Sequence, residues 1–103
     1  MQYSEIINIV KKYADNLARS GISFDAVYLF GSYAKGKPHA GSDIDVAVVS
    51  PILEKEYDTG RFMLWKLRRA IDLRIEPHGF APEDWSDLNP MVNEIKKTGL
   101  QIA

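Results

Sequence analysis

Apolar residues near the start of the chain recur at helical spacing. Ile6, Val10, Tyr13, Ala14 and Leu17 fall on one side, with Lys11, Lys12, Asp15 and Arg19 on the other. Gly21 stands where a C-terminal cap belongs, so the pattern predicts an amphipathic helix from about Ser4 to Ser20. The period then changes. Asp25 to Phe30 is rich in β-forming residues and closed by Gly31, which predicts a strand with Asp25 as its opening residue. Gly31 to Ser42 holds three glycines, one proline and two lysines. That is loop chemistry, with room for one helical turn after Ser32. Asp43 to Val49 predicts a second strand, stopped by Ser50 and Pro51, whereas Ile52 to Gly60 is mixed, acidic and without a readable period.

From Arg61 to Ala70, Met63, Leu67 and Ala70 share a helical face, flanked by Leu64 and Ile71. Ile71 to Glu76 alternates strictly, predicting a strand that buries Ile71, Leu73 and Ile75 and stops at Pro77. Asn89 followed by Pro90 marks the start of a last helix, which would bury Met91, Val92 and Ile95 and end near Gly99. Leu100 to Ile102 would then form an edge strand. Helices alternating with a few strands, without repeat or linker, predict one domain over residues 1–103. The expected fold is one compact sheet with helices packed on it.

Composition narrows the chemistry. The 103 residues include 13 Lys and Arg against 14 Asp and Glu, and no cysteine, which excludes thiol catalysis and Cys-ligated metal. A net charge of −1 removes the electrostatic case for bulk DNA or membrane-surface binding. The apolar runs are too short for a transmembrane helix, and Met-Gln-Tyr-Ser-Glu has neither the basic nor the apolar region of a leader. A cytoplasmic protein is expected.

The strongest chemical signal lies between residues 31 and 45. Strand side chains alternate, so Asp43 and Asp45 project to the same side with Cα atoms about 6.5–7 Å apart. Two carboxylates at that spacing can lean toward a pair of cations, which in two-metal sites sit about 3.5–4 Å apart. Left unneutralised at about 4 Å, two carboxylates would repel by about 4 kcal/mol at an effective dielectric of about 20. Oxygen ligands without Cys and with little His favour Mg2+ or Mn2+ over zinc. Gly31 lets backbone approach a ligand, Ser32 offers a hydroxyl, and Lys35 and Lys37 can offset charge on a triphosphate. Taken singly, a Gly-Ser turn or a polar strand opening has an ordinary structural explanation; their combination points to a nucleotide site. A third acid should come from a neighbouring strand. Asp72 and Glu76 are the candidates, with Asp72 placed first as metal ligand or general base, and either could instead pair with Arg74.

Leu29-Phe-Gly-Ser-Tyr-Ala-Lys-Gly36, followed by Ser42-Asp-Ile-Asp-Val46, resembles the minimal nucleotidyltransferases of the DNA polymerase β superfamily. The resemblance implies a mixed α+β fold, a small mixed sheet flanked by helices, and a nucleoside triphosphate, ATP above others, bound with Mg2+ or Mn2+. Ser32 matches the family's phosphate-contacting serine, Asp43 and Asp45 its metal ligands, and Ile71-Asp72-Leu73 its apolar-Asp-apolar strand. The departure is the polar continuation through Arg74 and Glu76-Pro77-His78. The resemblance further implies transfer of a nucleoside monophosphate to a protein or RNA acceptor. So small a chain would draw its acceptor surface from a second copy or from a helical HEPN-type partner, as the antitoxin of a toxin–antitoxin pair. A non-catalytic subunit that neutralises its partner by contact is the alternative, and a phosphate-binding or plain structural domain is the third.

The remaining chemistry-bearing residues have plainer readings. His78, after the third strand at the sheet's active edge, could help bind substrate, and His39 in the glycine loop could touch a nucleotide. Both read first as loop histidines, and their separation is not a zinc spacing. Trp65 and Trp85 read as core or interface anchors. Arg61, Lys66, Arg68 and Arg69 read as a solvated basic helix face.

Overall fold

A computed structural model describes residues 3–37 and 43–103. The order of elements is α1 (Tyr3–Arg19), β1 (Ala26–Phe30), β2 (Ile44–Val49), α2 (Ile52–Lys55), α3 (Tyr57–Leu67), β3 (Ile75–Phe80), α4 (Pro90–Thr98) and β4 (Leu100–Gln101), with single 3-10 turns at Arg68–Ala70 and Pro82–Asp84. The expected mixed α+β architecture is what forms. Among the described residues, four strands make one sheet in the order β3-β2-β1-β4. β1 pairs antiparallel with β2 and with β4, while β2 and β3 are parallel, the connection between them running through α2 and α3.

The predicted apolar stripe of α1 is the buried one: Ile6, Val10, Tyr13, Ala14 and Leu17 enter the core. Gly21 takes a left-handed φ of +85°, and Ile22 N–H returns to Leu17 O at 3.0 Å, which closes the helix. Val27 and Leu29 of β1, Ile44, Val46 and Val48 of β2, and Ile75 of β3 meet this stripe together with Leu64 of α3. The last carbonyls of α3 have no partner within their own helix. Two of them are taken up by α1: Tyr13 Oη donates to Leu64 O at 2.7 Å, and Asn16 Nδ2 donates to Leu67 O at 2.9 Å. Burial raises the pKa of the Tyr13 hydroxyl, which keeps it a donor. Asn89 caps α4 as its sequence predicts, accepting from Met91 N and Val92 N, and Gly99 ends it. No helix among the described residues is long and apolar enough to cross a membrane.

Several expectations are corrected. The third strand does not run from Ile71 to Glu76; it begins at Ile75 and continues through Pro77 to Phe80. Residues 71–74 form a turn instead, because the Asp72 carboxylate accepts from Arg74 N at 2.9 Å, Asp72 O accepts from Ile75 N, and Arg68 donates to Leu73 O. Leu73, expected in the core, is 67% exposed there. Pro77 does not stop the strand because of its phase on an edge. Ile44 N–H bonds Arg74 O and Ser50 N–H bonds Phe80 O, so the even-numbered backbone groups of β3 face β2 and Pro77 faces outward, where no donor is needed. The third helix starts at Tyr57 rather than Arg61 and leaves Ala70 exposed, and Met91, expected to be buried, is 41% exposed.

Candidate active site

β2 is buried along its whole length except at one residue. Its pattern leaves only Asp45 half-exposed between buried Ile44 and Val46. A carboxylate in the central part of a sheet costs free energy unless something neutralises it. The register places Asp45 beside Phe30 on one neighbour and Glu76 on the other. Because side chains alternate, Glu76 and His78 stand on the same side of the sheet as Asp45.

Gly31 follows Phe30 with a left-handed φ of +78°. A Cβ there would lie 2.3 Å from Asp45 Oδ2, so the glycine makes the space that the carboxylate occupies. The chain then turns: Lys35 N–H donates to Gly31 O at 3.1 Å and Lys37 N–H to Ser32 O at 2.9 Å, with Tyr33 buried beneath. This is the single turn expected after Ser32. The acids and the Gly-Ser turn are therefore contiguous.

Asp43, just ahead of β2, is exposed, and its carboxyl hydrogen-bonds that of Glu76. That bond raises the Glu76 pKa above the ordinary carboxylate range, aided by burial and by the charges of Asp45 and Asp43, with His78 opposing. The His78 imidazole lies 3.5 Å from Asp45 Oδ1 through Nε2, and its ring packs edge-on against Phe30 with centroids 5.1 Å apart. Asp45, Glu76 and His78 each present a ligand atom within 4.8 Å of the others. Clustered acids that raise one another's pKa, beside an imidazole nitrogen with no hydrogen-bond partner among the described residues, fit a divalent cation.

The structure does not bring Asp72 to this group. Its carboxylate is occupied by Arg74, with Nε on Oδ1 at 3.0 Å and Nη2 on Oδ2 at 2.6 Å, and the guanidinium's hydrogen bonds hold its pKa low. The strand shift is the reason: four residues ahead of Glu76, Asp72 sits in the turn before pairing begins. Lys35 is placed on the surface, its ammonium 3.3 Å from Glu94 of α4, a contact weak enough to exchange for another anion. Ser32 is half-buried at the turn. His39 lies outside the described residues, as does Ser42.

His78, read from the sequence chiefly as a loop histidine, instead lies within β3 and beside Asp45 and Glu76. The signal was the Glu-Pro-His spacing, which places Glu76 and His78 on one side as soon as the strand is counted from Ile75. Trp85 is the anchor expected, its ring 5.2 Å from both Tyr28 and Phe80. Trp65 carries the Arg68 guanidinium at 4.8 Å. Along β3, Tyr57, Arg61, Trp65 and Met91 border a cleft of about 390 Å³ that opens beside Glu76 and His78.

The chain matches a family model described as a nucleotidyltransferase domain over residues 5–95. It is 40% identical over 50 residues to the protein adenylyltransferase MntA of Shewanella oneidensis, an alignment that covers 48% of this chain and 33% of that protein. The chain thus spans about a third of that curated relative's length. A structure from Sulfolobus solfataricus described as a nucleotidyltransferase superposes with a TM-score of 0.66 at 19% identity, over 96% of this chain and 80% of that one. A toxin–antitoxin structure with AMP-PNP superposes with a TM-score of 0.64 at 27% identity, over 90% of this chain and 72% of that one.

Proposed function

The chain belongs to the nucleotidyltransferase domain family, and on that premise we propose that it transfers AMP from ATP to a protein or RNA acceptor, acting as the antitoxin beside a helical HEPN-type partner. The observation that carries this reading is the meeting of Asp45 and Glu76 beside the Gly31–Ser32 turn, with Asp43 next to Glu76. Similarity to an adenylyltransferase and to a toxin–antitoxin structure holding AMP-PNP supports the nucleotide and the setting.

Asp45 and Glu76 would hold Mg2+ or Mn2+, with His78 within reach of the same position and Asp43 joining them from beside Glu76. When bound, such cations supply charge stabilisation for the α-phosphate and the departing pyrophosphate. Gly31 and Ser32 bind the triphosphate, the glycine by close backbone approach and the serine by its hydroxyl. In the transfer, the acceptor hydroxyl oxygen bonds the α-phosphorus as the bond to the bridging oxygen breaks and pyrophosphate leaves. Glu76 takes the acceptor proton. Its carboxyl is suited to that role by a raised pKa and by its place at the mouth of the cleft along β3, on the side away from the Gly-Ser turn. Asp72 is left as a structural partner of Arg74.

The test is mass spectrometry of the co-expressed partner. An added AMP mass is expected with the natural chain and is absent with the Asp43→Asn, Asp45→Asn double variant. Full modification by that variant would overturn the proposal. A tight complex with an unmodified partner would favour neutralisation by contact.

A further inference from the structure

His78 occupies a position that the strand shift turns toward the acids. Its Nε2 is buried and has no hydrogen-bond partner among the described residues, although Asp45 Oδ1 is only 3.5 Å away. The side chain as a whole is 30% exposed, and its ring is steadied by the edge contact with Phe30. A buried nitrogen without a partner is costly, and a bound cation is the group that would satisfy it. The spacing suits this. Donors about 2.1 Å from a shared ion lie about 3.0–3.4 Å apart when they are adjacent in octahedral or tetrahedral coordination. The His78–Asp45 separation is already close to that, and Glu76 reaches within the same 4.8 Å.

We propose that His78 Nε2 is a direct nitrogen ligand to the cation held by Asp45 and Glu76, and that this imidazole makes the site select a first-row transition cation over Mg2+. The inference rests on the cation site of the proposed function. Mg2+ favours oxygen donors and keeps its water, whereas affinity for imidazole rises along the first transition row. An all-carboxylate site would discriminate between the two classes far less. The competing arrangement is a protonated His78 acting as a fixed counter-charge to Asp45, which would oppose cation binding instead of aiding it.

The probe is Mn2+ with the full chain. Electron spin-echo spectra of bound Mn2+ should carry nitrogen coupling from an imidazole. The coupling should vanish in His78→Gln and persist in His39→Gln, the chain having only these two histidines. Calorimetric titration should show Mn2+ affinity falling about tenfold in His78→Gln, with a smaller change for Mg2+, so that the preference narrows. Thermal unfolding of His78→Gln confirms that the variant is folded. Bound Mn2+ without nitrogen coupling would overturn the proposal, as would failure to bind Mn2+ or a gain in affinity for both ions on removing His78. These readouts do not involve AMP transfer. An inactive protein with nitrogen-coordinated Mn2+ would refute the proposed activity and leave this inference standing.

Discussion

A methyl group on Gly31 would press against an Asp45 oxygen at 2.3 Å while asking a non-glycine residue to hold φ at +78°. The left-handed conformation alone costs about 1–2 kcal/mol. Relief of the contact must come from moving either the turn or the carboxylate. Gly31→Ala is therefore expected to lower stability by at least about that amount in denaturant unfolding. It should also weaken Mn2+ binding in calorimetry, because the Asp45 carboxylate is displaced. Asp72 behaves in the opposite way to Glu76. Hydrogen bonds from Arg74 hold its folded pKa below the unfolded value, so its contribution to stability is fully present above the unfolded pKa. That contribution is lost as pH falls through the folded pKa. With Arg74 partly exposed, Asp72→Asn should cost about 1 kcal/mol at neutral pH. The difference from the natural chain should shrink in unfolding curves measured at progressively lower acid pH, while transfer activity at neutral pH stays within a few-fold of the natural chain.

At the scale of elements, legibility followed how local each cause is. The α1 stripe, the Asn89-Pro90 start of α4 and the closely matching β2 are written in neighbouring residues, so spacing and capping identify them. β3 was misplaced because two alternating patterns overlap. Ile71, Leu73 and Ile75 alternate, but so do Ile75, Pro77 and Gly79, and the second set is the one that pairs with β2. The Asp72 turn and the outward phase of Pro77 decide between them, and neither is visible without the neighbouring strand. α1 and α3 are joined by a comparably non-local device, the Tyr13 hydroxyl on Leu64 O. Tyr13→Phe leaves a buried carbonyl short of its donor. It is expected to lower stability by about 1–2 kcal/mol in denaturant unfolding, with little change in the sheet.

At the scale of the molecule, the sheet gathers like charges from β2, β3 and the segment before β2 at one place. Folding alone leaves that repulsion in place, and a cation that binds only the folded chain relieves it. Mn2+ at about a hundred times its dissociation constant should add about 2.7 kcal/mol, read as a rise in melting temperature that a chelator reverses. An unchanged melting temperature across that range would count against the cation site. By itself, the amino-acid order determined the helices with strong stripes and caps, the Gly31–Ser32 turn, and the Asp43 and Asp45 half of the candidate site, because each depends on residues a few positions apart. That Glu76 and an imidazole, and not Asp72, stand beside Asp45 was decided only by tertiary structure. The register of β3 is set by pairing with β2 and by burial of Ile75 beneath the helices, contacts between segments far apart in the chain.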